Sequence, residues 1–450
     1  MPSFRKEPTI SVGILTDKHI NFDLYGDFKV KGVKKLFSGR FSAELVNDKI
    51  RCKRGDDIFE ADKEIIFEPD DIDLESFLIK DVTIGVKFHW QRKEKQRFQG
   101  TLKLLKSKDK IVVINLIPVE KYLSSVISSE MSAKSSLQML KSLAVVSRSW
   151  LLAQIEKSKS IKIKKEVYSS ESRTDSEFVK WYDREEHELF DVCADDHCQR
   201  YQGISKISTQ AARQAAAETF GLVLVYNNKI CDARFSKSCG GITEAFHNVW
   251  EPQVHEYLTS VIDYKYEPEN FNPDFSNERN AQKWIKGNPP AYCNTTDEKI
   301  LSQVLIDYDR ETKDFYRWRV DYSQSEIAEL ISKNSGIDFG EIMDLIPVER
   351  GDSSRLIKLK IVGSKKELIV GKELEIRRLL SVNHLYSSAI IIEKQDVYNK
   401  IPGKFVLYGA GWGHGVGLCQ IGAAVMAEKG HSFDEILLHY FRNAKLNKIY

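Results

Sequence analysis

An α+β fold is expected from three observations. Residues 8 to 115 carry short runs that alternate apolar and polar side chains, the period of strands. Residues 118 to 157 switch to helical spacing. Residues 301 to 395 mix both patterns again. Strands are predicted over Thr9 to Leu15, Ile65 to Phe67, Val82 to Phe88 and Ile111 to Leu116. Pro118, tolerated in a first helical turn, then opens a helix through Val119, Tyr122, Leu123, Val126 and Ile127. A second helix is predicted from near Ser132, with Leu137, Leu140, Ala144, Ser147, Leu151 and Ile155 as its buried stripe. Glu130 falls at the break between the two. Lys141 and Arg148 lie seven residues apart, on one side of the second helix. The plain reading is that Glu130 ends a helix and both cations are solvated.

Beyond this pair, residues 158 to 205 are polar with little periodicity. A structureless stretch that long is usually functional or held by something else. Ser208 to Thr219 reads as a helix and Leu222 to Tyr226 as a strand. Phe235 to Thr243 (FSKSCGGIT) reads as a glycine turn, and residues 264 to 300 as loop. In the next lobe a helix is predicted over Ser325 to Ser332. Strands follow over Leu356 to Val362, Lys366 to Val370 and Ala389 to Glu393. Near the end, glycine recurs at Gly409, Gly411, Gly413, Gly415 and Gly417, which calls for unusual backbone or close contact. Gln420 to Glu428 reads as a helix, and Ser432 caps another.

Composition narrows the function. With 450 residues and 42% hydrophobic, 29% charged side chains, this is an ordinary globular chain. A net charge of +2 argues against nucleic acid as the main partner. No run is long and apolar enough to span a membrane. The first residues lack the apolar core and cleavage site of a signal peptide, so either the chain stays in the cytoplasm or a leader has been removed. Seven cysteines, an odd count in a long chain, do not form a disulfide framework.

Four constellations can carry chemistry. His187, Cys193 and Cys198 offer the imidazole and thiolates that zinc prefers, with five and four residues between them. His197, a water or a carboxylate is open as a fourth ligand. A Cys193–Cys198 disulfide, or two idle thiols, is an equal alternative on spacing alone. GWGHGVG places His414 among glycines beside Trp412, either to touch a ligand or simply as a tight turn. SCGG, from Ser238 to Gly241, has no paired base in sequence and reads as a structural turn. Glu130 with Lys141 and Arg148 is the fourth.

Together and in this order, these pieces resemble the SpoIID/LytB family of cell-wall proteins. The resemblance is carried by PVEKYLSSVISSEM, LKSLAVVSRSW, CQRYQG, ARFSKSCGGITE, VWEP, YLTSVID, GWGHGVGLCQIGAAVMAEKG and ILLHYF. It implies peptidoglycan as the partner, either as a lytic transglycosylase or as an enhancer of a wall amidase. It further implies Glu130 as the catalytic acid/base and Zn²⁺ on His187, Cys193 and Cys198. Lys141, Arg148, Tyr201, Ser238, Trp412, His414 and Gln420 are assigned to substrate binding. Tyr201, Trp250, Tyr257 and Trp412 are candidates to stack on sugars. A lytic transglycosylase needs no second carboxylate for water, unlike two-carboxylate glycosidases. A single Glu, raised in pKa by partial burial, suffices. Cations too close would oppose that, so Lys141 and Arg148 are expected on sugar oxygens, or as buttresses, more than on Glu130.

Two positions depart from the family pattern: Ser132 stands where Pro is usual, and Cys419 where Ser is usual. The expected organisation is a β-rich part (1–115), a catalytic core with the zinc loop (116–263), an inserted α+β lobe (264–395) and a C-terminal segment completing the core (396–450). The expected location is extracytoplasmic, in the cell envelope.

Overall fold

A computed structural model describes residues 6–84, 92–132, 134–164, 170–181, 187–195, 197–205, 210–305 and 314–450. The fold is α+β and rich in strands. Its largest sheet has eleven strands. Strand β1 (Thr9–Asp17) lies between Lys110–Pro118, antiparallel, and the short Val192–Cys193, parallel. The sheet continues through Thr101–Ser107, Glu64–Pro69, His19–Val30, Leu36–Val46 and Lys49–Arg54 to Asp57–Ala61. Alternation explains it: Ile20, Phe22, Leu24 and Phe28 turn inward from one strand, and Phe22 stacks on Phe41 at 5.3 Å. The strand predicted over Val82 to Phe88 instead ends Ser76–Ile84, and its remainder lies outside the described residues.

Two helices follow. Helix α1 (Val119–Glu130) starts directly after Pro118. Its buried face of Val119, Tyr122, Leu123 and Val126 packs on the sheet side, while Ile127 joins the neighbouring core. The second helix, α2 (Leu137–Lys164), begins later than its predicted start near Ser132. The reason is a clip from elsewhere in the chain. Ser132 N–H and Ser135 Oγ both donate to the Gln303 carbonyl, at 3.1 and 2.6 Å. Ser136 N–H donates to Gln303 Oε1 at 3.1 Å. Met131 is extended, and Ser135 N–H closes a turn on the Ser132 carbonyl at 3.1 Å.

Helix α3 (Gln210–Glu218) packs against both; the predicted start at Ser208 lies outside the described residues. The polar stretch 158 to 205 is less irregular than expected. It holds the end of α2 and the strands Glu171–Arg173, Glu177–Lys180 and Val192–Cys193. Residues 264 to 300 also depart from the loop reading, since they contain Glu278–Lys286 and the start of Glu298–Val304. Asn277 and Asp297 cap these helices with their side chains, and Ala281, Trp284 and Ile285 give the first a buried face.

The strands Leu356–Gly363 and Glu367–Gly371 pair with each other, with Ile342–Arg350 and with Glu177–Lys180. Arg317–Ser323, Ile401–Ala410 and Ile390–Tyr398 form a separate three-stranded sheet. The C-terminal Lys445–Lys448 returns to pair with Leu222–Tyr226. Among the described residues no helix is long and apolar enough to cross a membrane.

Candidate functional site

Glu130 is the last residue of α1, and its side chain is partly exposed. Its Oε1 accepts the backbone N–H of Arg200 at 3.2 Å. Among the described residues no ion pair holds it. The chain that supplies this N–H is tied along α1: Gln202 N–H donates to Ser125 Oγ at 3.3 Å, and Tyr122 Oη donates to Gln199 Oε1 at 3.4 Å.

That same chain leaves a ligand cluster immediately upstream. His187, Cys193, His197 and Cys198 place one donor atom each within 4.8 Å of all the others. His187 Nε2 lies 3.4 Å from Cys198 Sγ, and His197 Nδ1 lies 3.6 and 3.9 Å from the Cys198 and Cys193 sulfurs. Two thiolates and two imidazoles at such separations fit a shared tetrahedral ion. Cys193 N–H donates to Cys198 Sγ at 3.4 Å, and the Cys193 thiol is lowered in pKa by its contact with Cys198 and both imidazoles. The loop is stitched to β1, where Ser11 N–H and Oγ donate to Asp191 Oδ2 at 2.8 and 2.7 Å.

The glycine motif forms a second assembly. Gly411, Gly413, Gly415 and Gly417 all have φ between 75 and 94°, a region closed to most residues. A side chain at Gly411 would also collide with the Ser238 carbonyl, 2.7 Å away. Ser238 and Trp412 exchange backbone hydrogen bonds at 3.0 and 2.8 Å, and Phe235–Ser236 pairs with Leu418–Cys419. Residues from the 351–355 turn are bound in as well. Buried Arg355 donates to the carbonyls of Cys239 and Gly413 at 3.1 and 3.4 Å. Buried Glu244 accepts from Ser353 Oγ at 2.6 Å while its own N–H bonds Gly415.

His414 stands against Trp250, ring centroids 5.1 Å apart, and its Nδ1 accepts the Val416 N–H at 3.0 Å. Burial first, then the nearby guanidiniums of Arg234, Arg377 and Arg355, holds this imidazole neutral, well below its ordinary pKa. Trp412 stacks on Tyr386 at 4.2 Å and keeps an exposed part. Trp250 is likewise partly exposed, with the Arg234 guanidinium 4.3 Å over its ring.

Several assigned binding residues are elsewhere. Arg148 is fully buried and cannot meet a substrate. It grips Glu120 with Nε and Nη2 at 2.8 and 2.6 Å and donates to the Leu222 carbonyl at 2.9 Å, so it buttresses the fold. Lys141 is paired with Glu218 of α3. Tyr201 is buried, stacked on Tyr122 and bonded to Asn115 Oδ1 at 2.7 Å. Tyr257 is core too, its hydroxyl accepting the Asp232 N–H at 3.0 Å. Ser238 and Gln420 are buried. Residues around Glu130, namely Ile127 and Met131, share one hydrophobic core with Cys239, Val416, Leu418 and Cys419. Sequence reasoning missed Arg200, whose contribution is a backbone group and leaves no side-chain signal. It missed Gln303 for a different reason, since that residue acts from far along the chain.

Comparison with known proteins fits this arrangement. Residues 107–226 match the family model described as Stage II sporulation protein. Residues 244–417 match one described as a domain of unknown function, DUF8618. The chain is 25% identical over 245 residues to the amidase enhancer of Bacillus subtilis (strain 168), an alignment covering 52% of this chain and 32% of that protein. It is 22% identical over 342 residues to stage II sporulation protein D of Bacillus amyloliquefaciens, covering 74% of this chain and 75% of that protein. An uncharacterized protein of Brachyspira hyodysenteriae is 23% identical over 349 residues, covering 78% and 72%. The chain thus spans about a third of the amidase enhancer's length. The matched domain and these relatives support membership of the SpoIID/LytB family.

Proposed function

We propose that the chain is a peptidoglycan lytic transglycosylase of the cell envelope, with Glu130 as its acid/base. The observation that carries this reading is Glu130 itself: a partly exposed carboxylate at a helix end, fixed by one backbone N–H and free of ion pairs among the described residues. A cell-wall role is supported by the Stage II sporulation protein match and by the names of the relatives. In the reaction Glu130 protonates the glycosidic oxygen between N-acetylmuramic acid and N-acetylglucosamine. It then takes the proton from the muramic C6 hydroxyl, which closes a 1,6-anhydro ring without a water-activating carboxylate. Trp250, Trp412 and neutral His414 offer partly exposed faces and edges to sugar. Zn²⁺ would be held by His187, Cys193, His197 and Cys198, where it crosslinks the loop. The residues downstream of that loop then place the Arg200 N–H on Glu130.

A second reading has its own support in the relative named amidase enhancer. In it the chain binds glycan strands and activates a wall amidase without cutting. The two separate in a digest of purified glycan strands, with and without stem peptides, read by mass spectrometry for wild type and Glu130→Gln. Products ending in 1,6-anhydro-N-acetylmuramic acid, absent from the variant, are the expected result. Strands that stay bound and uncut with wild type would refute the transglycosylase and favour the enhancer.

A further inference from the structure

Three cysteines far apart in sequence meet under the glycine motif. Cys239, Cys293 and Cys419 are buried, and the fully buried Asp263 joins them. Their donor atoms all lie within 4.8 Å of one another. We propose that Cys239, Cys293, Cys419 and Asp263 form a second, interior metal site for a zinc-class divalent cation.

The separations are those of ligands rather than of a crosslink. Cys239 Sγ and Cys293 Sγ are 3.7 Å apart. A disulfide needs about 2.05 Å. Two thiolates on one tetrahedral zinc, each about 2.3 Å from the ion, stand about 3.8 Å apart. The surroundings are those of a ligated sulfur and carboxylate. Cys419 Sγ accepts the N–H groups of Cys239 and Gly422 at 3.3 and 3.4 Å. Asp263 Oδ2 accepts the Cys293 N–H at 2.8 Å, and Oδ1 accepts the Tyr440 hydroxyl at 2.6 Å. Such donors orient metal ligands from behind. The packing leaves no slack, since a side chain at Gly422 would strike both the Asp263 carboxylate and the Tyr440 hydroxyl.

Charge makes the case from a second direction. Among the described residues no Lys, Arg or His forms an ion pair with Asp263. A buried carboxylate without a cation is costly, and a divalent ion amid the cluster supplies the missing charge. Three thiols beside it supply a soft, zinc-like donor set. Binding displaces the thiol protons to solvent and involves no redox step. The ion would tie together the turn after Phe235–Ser236, the end of the 242–262 bridge, the loop before Glu298–Val304 and the start of the helix Gln420–Glu428. Its ligand Cys239 directly follows Ser238, which pairs with Trp412.

The test is metal analysis of the full chain, with Co²⁺ as a spectroscopic substitute. Wild type is expected to hold two zinc equivalents. The Cys193→Ser/Cys198→Ser variant is expected to keep one. After exchange its Co²⁺ form should show intense near-ultraviolet thiolate-to-metal absorption and tetrahedral visible bands. Adding Cys419→Ser should remove or weaken both. Wild type with no zinc, or with a single equivalent that the Cys193→Ser/Cys198→Ser variant loses, would overturn the site. So would a folded loop variant that takes up neither ion, or a Cys239–Cys293 disulfide found by peptide mass.

Discussion

The grip of Arg148 on Glu120 gives a direct test of which cations belong to the fold. The perturbation is Arg148→Met, which keeps an unbranched stem as far as the Nε position and removes the charged guanidinium end. Arg148 is 0% exposed and Glu120 12% exposed, so neither is rescued by water. Two charge-assisted hydrogen bonds are lost, at 2.8 and 2.6 Å, with a third to the Leu222 carbonyl. At about 1.5–3 kcal/mol for each charged bond, the loss is about 3–6 kcal/mol. Breaking one side of a buried ion pair costs about 3–5 kcal/mol by independent measure. Glu120 keeps the Tyr450 hydroxyl at 2.6 Å and the Gly221 N–H at 3.3 Å, which places the cost in the lower half of the range.

The readout is the melting temperature, with hydrogen exchange over α1, α2 and Leu222–Tyr226. For a unit larger than 250 residues each kcal/mol moves the midpoint by about 1–2 °C, so a fall of about 3–8 °C is expected. Adding Glu120→Gln should cost much less than the sum, with a coupling of about 1–3 kcal/mol. Lys141→Met on the same helix is the control. Its partner Glu218 is 40% exposed, so its loss stays within about 1 kcal/mol. Unchanged melting in Arg148→Met, together with weakened binding to glycan strands, would refute the buttress and return Arg148 to the substrate.

Two further outcomes are expected. Removing the proposed loop metal with a chelator, or through Cys193→Ser/Cys198→Ser, should raise hydrogen exchange across residues 187–202, including the Arg200 amide that binds Glu130, while β1 beyond Ser11 stays protected. Equal exchange with and without metal would refute the loop as the support of that amide. The pH dependence follows from histidines that burial keeps below their ordinary value: His384 and His439 to about 4, His255 and His414 by direction. The unfolded chain binds more protons than the folded one below about pH 6.5, so stability is full above that value and falls as pH drops toward 4. Each histidine contributes at most about 1.4 kcal/mol per pH unit, and His439→Gln should flatten the slope of melting temperature against pH. A slope steeper in that variant than in wild type would refute the assignment.

What could be read from the sequence was what local chemistry decides. Pro118 marks the start of α1, the alternation in Thr9 to Leu15 marks β1, and Ser432 with Glu435 closes a capping box on the helix Phe433–Tyr440. The glycine spacing announced positive φ, and the structure has it at four successive sites. Illegible were the features made by distant partners. Nothing near Arg148 says that it turns inward, because Glu120 lies 28 residues away. Ser132 to Ser136 read as helix since the Gln303 clip is invisible locally. Helix Glu278–Lys286 was hidden by the Asn and Pro around it, although its Asn277 cap was in view. The cysteine cluster draws on positions 54 and 126 residues apart, and spacing rules for metal motifs do not reach that far.

Helix α1 carries two carboxylates, and their surroundings assign them opposite work. Glu120 and Glu130 are ten residues apart, about 15 Å along the axis, at the two ends of one rigid rod. At the first end Glu120 is enclosed by a guanidinium, a tyrosine hydroxyl and a backbone N–H, so its charge is spent within the fold. At the other end Glu130 meets one backbone N–H and an exposed side. The rod transmits position from the first end to the second: whatever fixes Glu120 fixes the axis on which Glu130 rides. Lateral placement comes from the loop, through Gln199, Arg200 and Gln202. Two anchors of different chemistry, a buried ion pair and a loop whose His and Cys donors are grouped to hold a metal, therefore act on one carboxylate. Loosening either should harm activity while leaving every atom of Glu130 in place. That separates the positioning residues of this site from the one residue proposed to react.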